Sequence, residues 1–201
     1  MRILLAAFAV IAVAACGDDT DSTDVSSTTI VVETTTMATT TTEGVALPPS
    51  EFSELAALLE PYATPLGFTV TRAALVDLGT YQTSPEGTHL AVYLVATTER
   101  TPDEVAQATI PMAAAFLPDV FSRWPGLMSF DVCQEPFDSA GDPNVPSDTI
   151  VNVSREDAEF VDWDTVTLAE LFDIAQSREG FTLYAASLIE QSATWQAAVQ
   201  G

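Results

Sequence analysis

The chain has 201 residues and a formal net charge of −23, from 29 acidic residues against six basic ones, all arginine. So acidic a surface repels phosphate backbones and anionic headgroups, which argues against nucleic acid and anionic lipid surfaces as partners. One histidine and two cysteines leave too few nitrogen and sulfur ligands for a structural zinc site, and no cofactor is implied.

Arg2 precedes the apolar run ILLAAFAVIAVAA, which is too short to cross a bilayer core as a helix. A positive start followed by a short apolar run is the anatomy of a signal peptide, here residues 1–15. The run closes on the small residues Val13, Ala14 and Ala15, with Cys16 immediately after. This motif resembles the lipobox of bacterial lipoprotein precursors, and the resemblance covers residues 1–16 alone. It implies cleavage before Cys16, lipidation of the Cys16 sulfur, and a mature chain held by its lipid on the extracytoplasmic face of the cell membrane. Each buried acyl methylene adds roughly 0.8 kcal/mol, so two chains anchor a protein without a membrane-spanning helix. An ordinary leader cut after Ala15, leaving a free thiol, and an uncleaved anchor are the alternatives.

Residues 16–49 follow as Cys16 and a stretch dominated by threonine, serine and acids. Such a composition buries too little apolar surface to offset its ordering entropy, so it is expected to be a disordered tether. A flexible coil of this length reaches about 30 Å on average, which holds the following domain off the membrane.

From Ser50 the composition becomes globular, and residues 50–201 have the size of one domain. Six of the 29 acids fall in the tether and Arg2 in the leader, so this domain sets 23 carboxylates against five arginines. Once Cys16 carries lipid, Cys133 has no disulfide partner, and the fold must stand without crosslinks.

Within the domain, Ser50 is positioned to cap a short amphipathic helix bearing Phe52, Leu55, Leu58, Leu59 and Tyr62, which Pro61 is expected to stop. GFTVTRAALVDLG and THLAVYLVATT are rich in β-branched and aromatic residues and flank a turn containing Pro85 and Gly87, so they predict a β-hairpin with His89 entering the second strand. Thr101, Pro102 and Glu104 form a capping box. The helix they open carries Met112, Phe116, Val120 and Trp124 at intervals of four, with Pro111 and Pro118 expected to kink or split it. LMSFDVCQEP alternates with Met128, Phe130 and Val132 inward and Ser129, Asp131 and Cys133 on the other face. TIVNV predicts a fourth strand, and SREDAEFVDW and TLAELFDIAQSREG predict helices capped by Ser154 and Thr167. FTLYAAS fits a final strand before a short helix, although residues 181–200 also fit one longer helix. The order predicts an α+β domain, with a mainly antiparallel sheet of four to five strands covered by amphipathic helices.

Three groups of residues could carry chemistry. Cys133 with His89 would form a nucleophile and base if the fold brought them within hydrogen-bond reach. Asp138, Asp142, Asn144 and Asp148 offer the hard oxygen ligands that calcium takes, although Ala140 breaks the EF-hand spacing. Asp162 and Asp164 around Trp163 have the residue types of a glycosidase site. There is no G-x-S-x-G, phosphate loop or dinucleotide fingerprint. The expectation is a tethered binding or interaction module of the cell envelope, taking an envelope protein or a small ligand, with an extracytoplasmic hydrolase as the alternative.

Overall fold

A computed structural model describes residues 46–139 and 141–200, so the leader, Cys16 and nearly all of the expected tether lie outside the described residues. The chain runs α1 (Phe52–Ala63), a 3-10 turn (Thr64–Leu66), β1 (Phe68–Asp77), β2 (Gln82–Thr83), β3 (His89–Ala96), α2 (Pro102–Arg123), β4 (Ser129–Glu135) and β5 (Thr149–Ser154). It continues through α3 (Arg155–Ala158), α4 (Leu168–Ser177), β6 (Phe181–Ala185), α5 (Ser187–Glu190) and α6 (Ala193–Gln200). The strands form one sheet in the order β2-β1-β3-β4-β5-β6.

The fold is α+β, and its sheet is mixed and six-stranded rather than built of four to five mainly antiparallel strands. β3 and β4 are parallel and every other neighbouring pair is antiparallel. The parallel pair follows from α2, because a helix that returns along the sheet delivers the next strand in the same direction as the last. The additional strand is β2, only two residues long. Asp77 Oδ1 accepts from the Gly79 amide and from the amide and hydroxyl of Thr80, and the turn continues through Tyr81 at φ 57° before the chain pairs back on β1.

Helix boundaries differ from those the sequence predicts, because the helices run through their prolines. α1 starts after Glu51 rather than Ser50 and continues through Pro61 to Ala63. α2 is one helix of 22 residues despite Pro111 and Pro118. The two prolines lie seven residues apart on one exposed side of α2, a side where freed carbonyls can turn to solvent rather than into the core. The helix after β5 is a single turn, α3, and residues 181–200 resolve into a strand and two short helices.

Alternate residues of each strand face the helices. Leu90, Val92 and Leu94 of β3, Phe130 and Val132 of β4, and Val151 and Val153 of β5 pack under Met112, Phe116, Leu117 and Val120 of α2. Tyr62, Phe116 and Phe130 continue the core as aromatic contacts at 5.4 and 6.1 Å between centroids. Met128 does not join them. It stands 61% exposed just before β4, while Leu127 takes the core position. The C-terminal end of α2 is held by Arg155, whose guanidinium donates to the carbonyls of Phe121, Trp124 and Leu127. A cation at that end satisfies otherwise orphaned acceptors and complements the helix dipole.

Candidate functional site

Among the described residues the packed helices all lie against one face of the sheet, so the other face is bare of described helices and holds the remaining residues of every strand, of which His89, Ala91, Ser129, Cys133 and Glu135 are buried. Register places them in rows about 4.8 Å apart from strand to strand. One row runs Val76, His89, Ser129 and Ser154, and the next Ala74, Ala91, Asp131, Asn152 and Thr182. A third runs Arg72, Tyr93, Cys133, Ile150 and Tyr184. The loop between β4 and β5 folds onto one end of this face, where a side chain on Gly141 would come within 3.3 Å of Thr71.

His89 and Ser129 are direct partners across the parallel pair, and the His89 ring spans two groups. Its Nδ1 lies 2.8 Å from Ser129 Oγ and its Nε2 lies 3.2 Å from Asp131 Oδ2. Both His89 and Ser129 are buried. In the tautomer whose Nε2–H donates to Asp131 Oδ2, Nδ1 accepts a hydrogen bond from the Ser129 hydroxyl, which is the connectivity of a nucleophile, base and orienting acid. Asp131 Oδ1 is buried and has no hydrogen-bond partner among the described residues.

Arg72 forms the second polar group of the face. It is paired with Glu135, whose side chain has no exposed surface, and lies over the Tyr93 ring with 3.8 Å to the centroid. The other Glu135 oxygen accepts from the Thr71 hydroxyl, while Arg72 Nε has no partner among the described residues. Burial pushes the Tyr93 hydroxyl above its usual range.

The residues singled out from the sequence fall in different places. His89 and Cys133 share the bare face but not a contact, because Cys133 stands beside Tyr93 four positions further along the pair, and both ring nitrogens of His89 are already engaged. Burial raises the Cys133 thiol far above its ordinary range, with the charges of Asp131 and Glu135 adding to the shift, so it stays a neutral packing group. In the loop, Asp142 Oδ1 accepts from the backbone and side-chain amides of Asn144, which hold its carboxyl below the usual range. Asp148 is half-buried and shifts upward, through burial and then through Asp138. Among the described residues no three His, Cys, Asp or Glu side chains gather in a metal-binding arrangement.

Asp162 and Asp164 do not flank a common site. Asp162 Oδ1 accepts from the Asp164 amide in a local turn, and the Trp163 indole donates to the Ala158 carbonyl while stacking on Phe181. Asp162 instead lines an open cleft of about 340 Å³ with Glu170, Asp173, Phe160, Val166 and Ile174. What the sequence reading missed is the set Ser129, Asp131, Arg72, Glu135 and Tyr93. The strand alternation separated His-Ala-Tyr-Val from Leu-Val-Leu-Ala and Ser-Asp-Cys-Glu from Phe-Val-Gln, but the parallel pairing that brings the two polar series together is not written in either strand. No protein-family model matches the chain, and no curated protein or solved structure does either.

Proposed function

We propose that the chain is a membrane-tethered extracytoplasmic lipoprotein of the cell envelope, anchored through lipid on Cys16, whose domain is a binding module using the bare face of the sheet. One observation carries the choice of surface. The two buried side-chain polar atoms without partners among the described residues, Arg72 Nε and Asp131 Oδ1, both lie on that face. Buried polar groups are nearly always satisfied, so a donor and an acceptor left unpartnered beneath one face favour a partner that supplies the complements when that face opens. The anchor rests on the motif ending at Cys16, and among the described residues no helix is long and apolar enough to cross a membrane.

In-cell crosslinking from a photoreactive residue at Asn152, with a tether-only chain as control, tests the binding reading. Recovery of one envelope protein or small ligand through Asn152, weakened by Asp131→Asn, supports it. Capture through the tether alone overturns it. Intact mass tests the anchor: a mature chain without added lipid, or a Cys16→Ser variant that still partitions with membranes, removes the lipoprotein part.

The contacts of Ser129, His89 and Asp131 favour a second reading, an extracytoplasmic hydrolase with Ser129 as nucleophile. Ser129 and His89 are both buried, so a substrate carbonyl reaches Oγ only if the face opens. A fluorophosphonate that labels Ser129, and fails to label the His89→Ala variant, would move this reading ahead of the first.

A further inference from the structure

Charge is spread unevenly over the domain, and the bare face is where it balances. Residues 50–201 set 23 carboxylates against five arginines, yet the three rows named above hold one aspartate, Asp131, and one arginine, Arg72. Both are already engaged, Asp131 with His89 and Arg72 with Glu135. A face so depleted in charge on so acidic a domain has the composition of a contact surface rather than of a solvated one.

The accessible part of this face has its own chemistry. Asp131, Asn152 and Thr182 stand side by side on β4, β5 and β6, offering a carboxylate, an amide and a hydroxyl along about 10 Å. Asp131 and Asn152 are half-buried and Thr182 is exposed. Two positions further along β6, about 7 Å away on the same side, Tyr184 is 42% exposed. Its ring joins none of the aromatic or cation–π contacts among the described residues. An open aromatic ring beside a line of hydrogen-bonding side chains suits a pyranose, whose C–H groups pack on the ring while its hydroxyls donate and accept.

We infer that the bare face binds a neutral saccharide, with Tyr184 as its platform and Asp131, Asn152 and Thr182 as its hydrogen-bonding partners. This deepens the binding reading above and rests on it. Neutrality follows from the charges on the face. Glu135 neutralises the one guanidinium, so nothing is left to hold an anion, and the one carboxylate is shared with His89. The orphaned Arg72 Nε and Asp131 Oδ1 beneath the face require an acceptor and a donor, and a hydroxyl is both without bringing charge. A second copy of the chain would bring its own excess of carboxylates, which a neutral ligand does not.

The probe is an array of neutral, acidic and amino-bearing glycans, offered to the full chain, with the Kd of each bound oligosaccharide then measured by calorimetry. A neutral oligosaccharide binds, and its Kd changes by less than about twofold between about 0.1 M and 1 M sodium chloride, because no charge pair forms. Tyr184→Ala weakens binding by about tenfold and Asn152→Ala by about fivefold, while Tyr184→Trp retains it. Thr182→Arg, at an exposed position, blocks the surface independently, and unchanged urea midpoints show that the variants fold. Binding to acidic or amino-bearing glycans alone overturns the inference, as does an affinity that survives both Tyr184→Ala and Thr182→Arg. An array on which no neutral glycan binds overturns it too. If that blank array is joined by a partner protein crosslinked at Asn152, the saccharide falls and the binding reading stands. Failure of both experiments removes both.

Discussion

Glu135 is a carboxylate with no exposed side-chain surface, and it sits in the fold because Arg72 and Thr71 occupy its two oxygens. A buried ion pair broken from one side leaves an uncompensated charge, so Arg72→Ala should cost about 3 kcal/mol in denaturant unfolding, while Thr71→Val costs about 1 kcal/mol for one hydrogen bond. A loss at Arg72 no larger than that at Thr71 would mean that water reaches Glu135. Gly180 is fixed by close approach rather than by its dihedral angles. A methyl group there would collide with the Asp157 carboxylate and come within 2.7 Å of Ser154 Oγ, the pair that caps α3 and meets Arg178. Gly180→Ala is expected to destabilise the domain by about 1 to 3 kcal/mol, measured by urea midpoint. Cys133 gives a third measurement. Because burial disfavours its thiolate, iodoacetamide at neutral pH should label it only as fast as the domain opens, and labelling should accelerate with sub-denaturing urea. Alternation had already placed Cys133 on the face away from Phe130 and Val132. Its neighbours Tyr93 and Ile150 were not legible, because they arrive from other strands.

At the scale of elements, local chemistry was most readable where a side chain closes on its own backbone. The capping box expected at Thr101 with Glu104 opens α2, and the expected cap Thr167 opens α4, where Glu170 completes a second box. Each glutamate accepts from the cap amide and hydroxyl, and those bonds hold its carboxyl below the usual range. The sign follows directly. The folded value lies below the unfolded one, so this stabilisation is complete above the ordinary glutamate range and is lost as pH falls through the folded value. Replacing both residues by glutamine, which keeps a cap acceptor without a charge, should therefore flatten the loss of helix signal in an acid titration below pH about 4.5. An unchanged acid limb would mean that other carboxylates dominate acid unfolding. The prolines misled the sequence reading for a related reason. A proline's cost depends on whether water reaches the freed carbonyl, and Pro111 and Pro118 face solvent while Met112, Phe116 and Val120 hold the helix on the sheet. Packing, which the local sequence does not display, decided the outcome.

For the whole molecule, the α+β class was legible because strand-like and helix-like periodicities alternate clearly, while strand order was not, because pairing is a property of distant segments. The placement of β4 beside β3 rather than at an edge is what assembles His89, Ser129 and Asp131, so most of the candidate site inherits the least legible part of the fold. Charge, by contrast, is a global quantity that the sequence states outright. Residues 50–201 carry 23 acids against five arginines, and several of the arginines are occupied internally: Arg72 on Glu135, Arg178 on Asp157, Arg155 on three carbonyls and Arg100 on the Leu66 carbonyl. Five positive charges offset at most five of the 23 carboxylates, so the folded state confines like charges that the unfolded chain spreads apart. The screening length falls from about 10 Å at 0.1 M salt to about 3 Å at 1 M. The melting temperature should therefore rise over that interval in sodium chloride, by about 3 °C for each kcal/mol of repulsion removed. Sulfate is the wrong salt for the measurement, since it strengthens apolar burial in any protein. A melting temperature that stays flat in chloride would mean that the carboxylates are already spaced beyond effective repulsion. In that event the acidity imposes no penalty on the folded state.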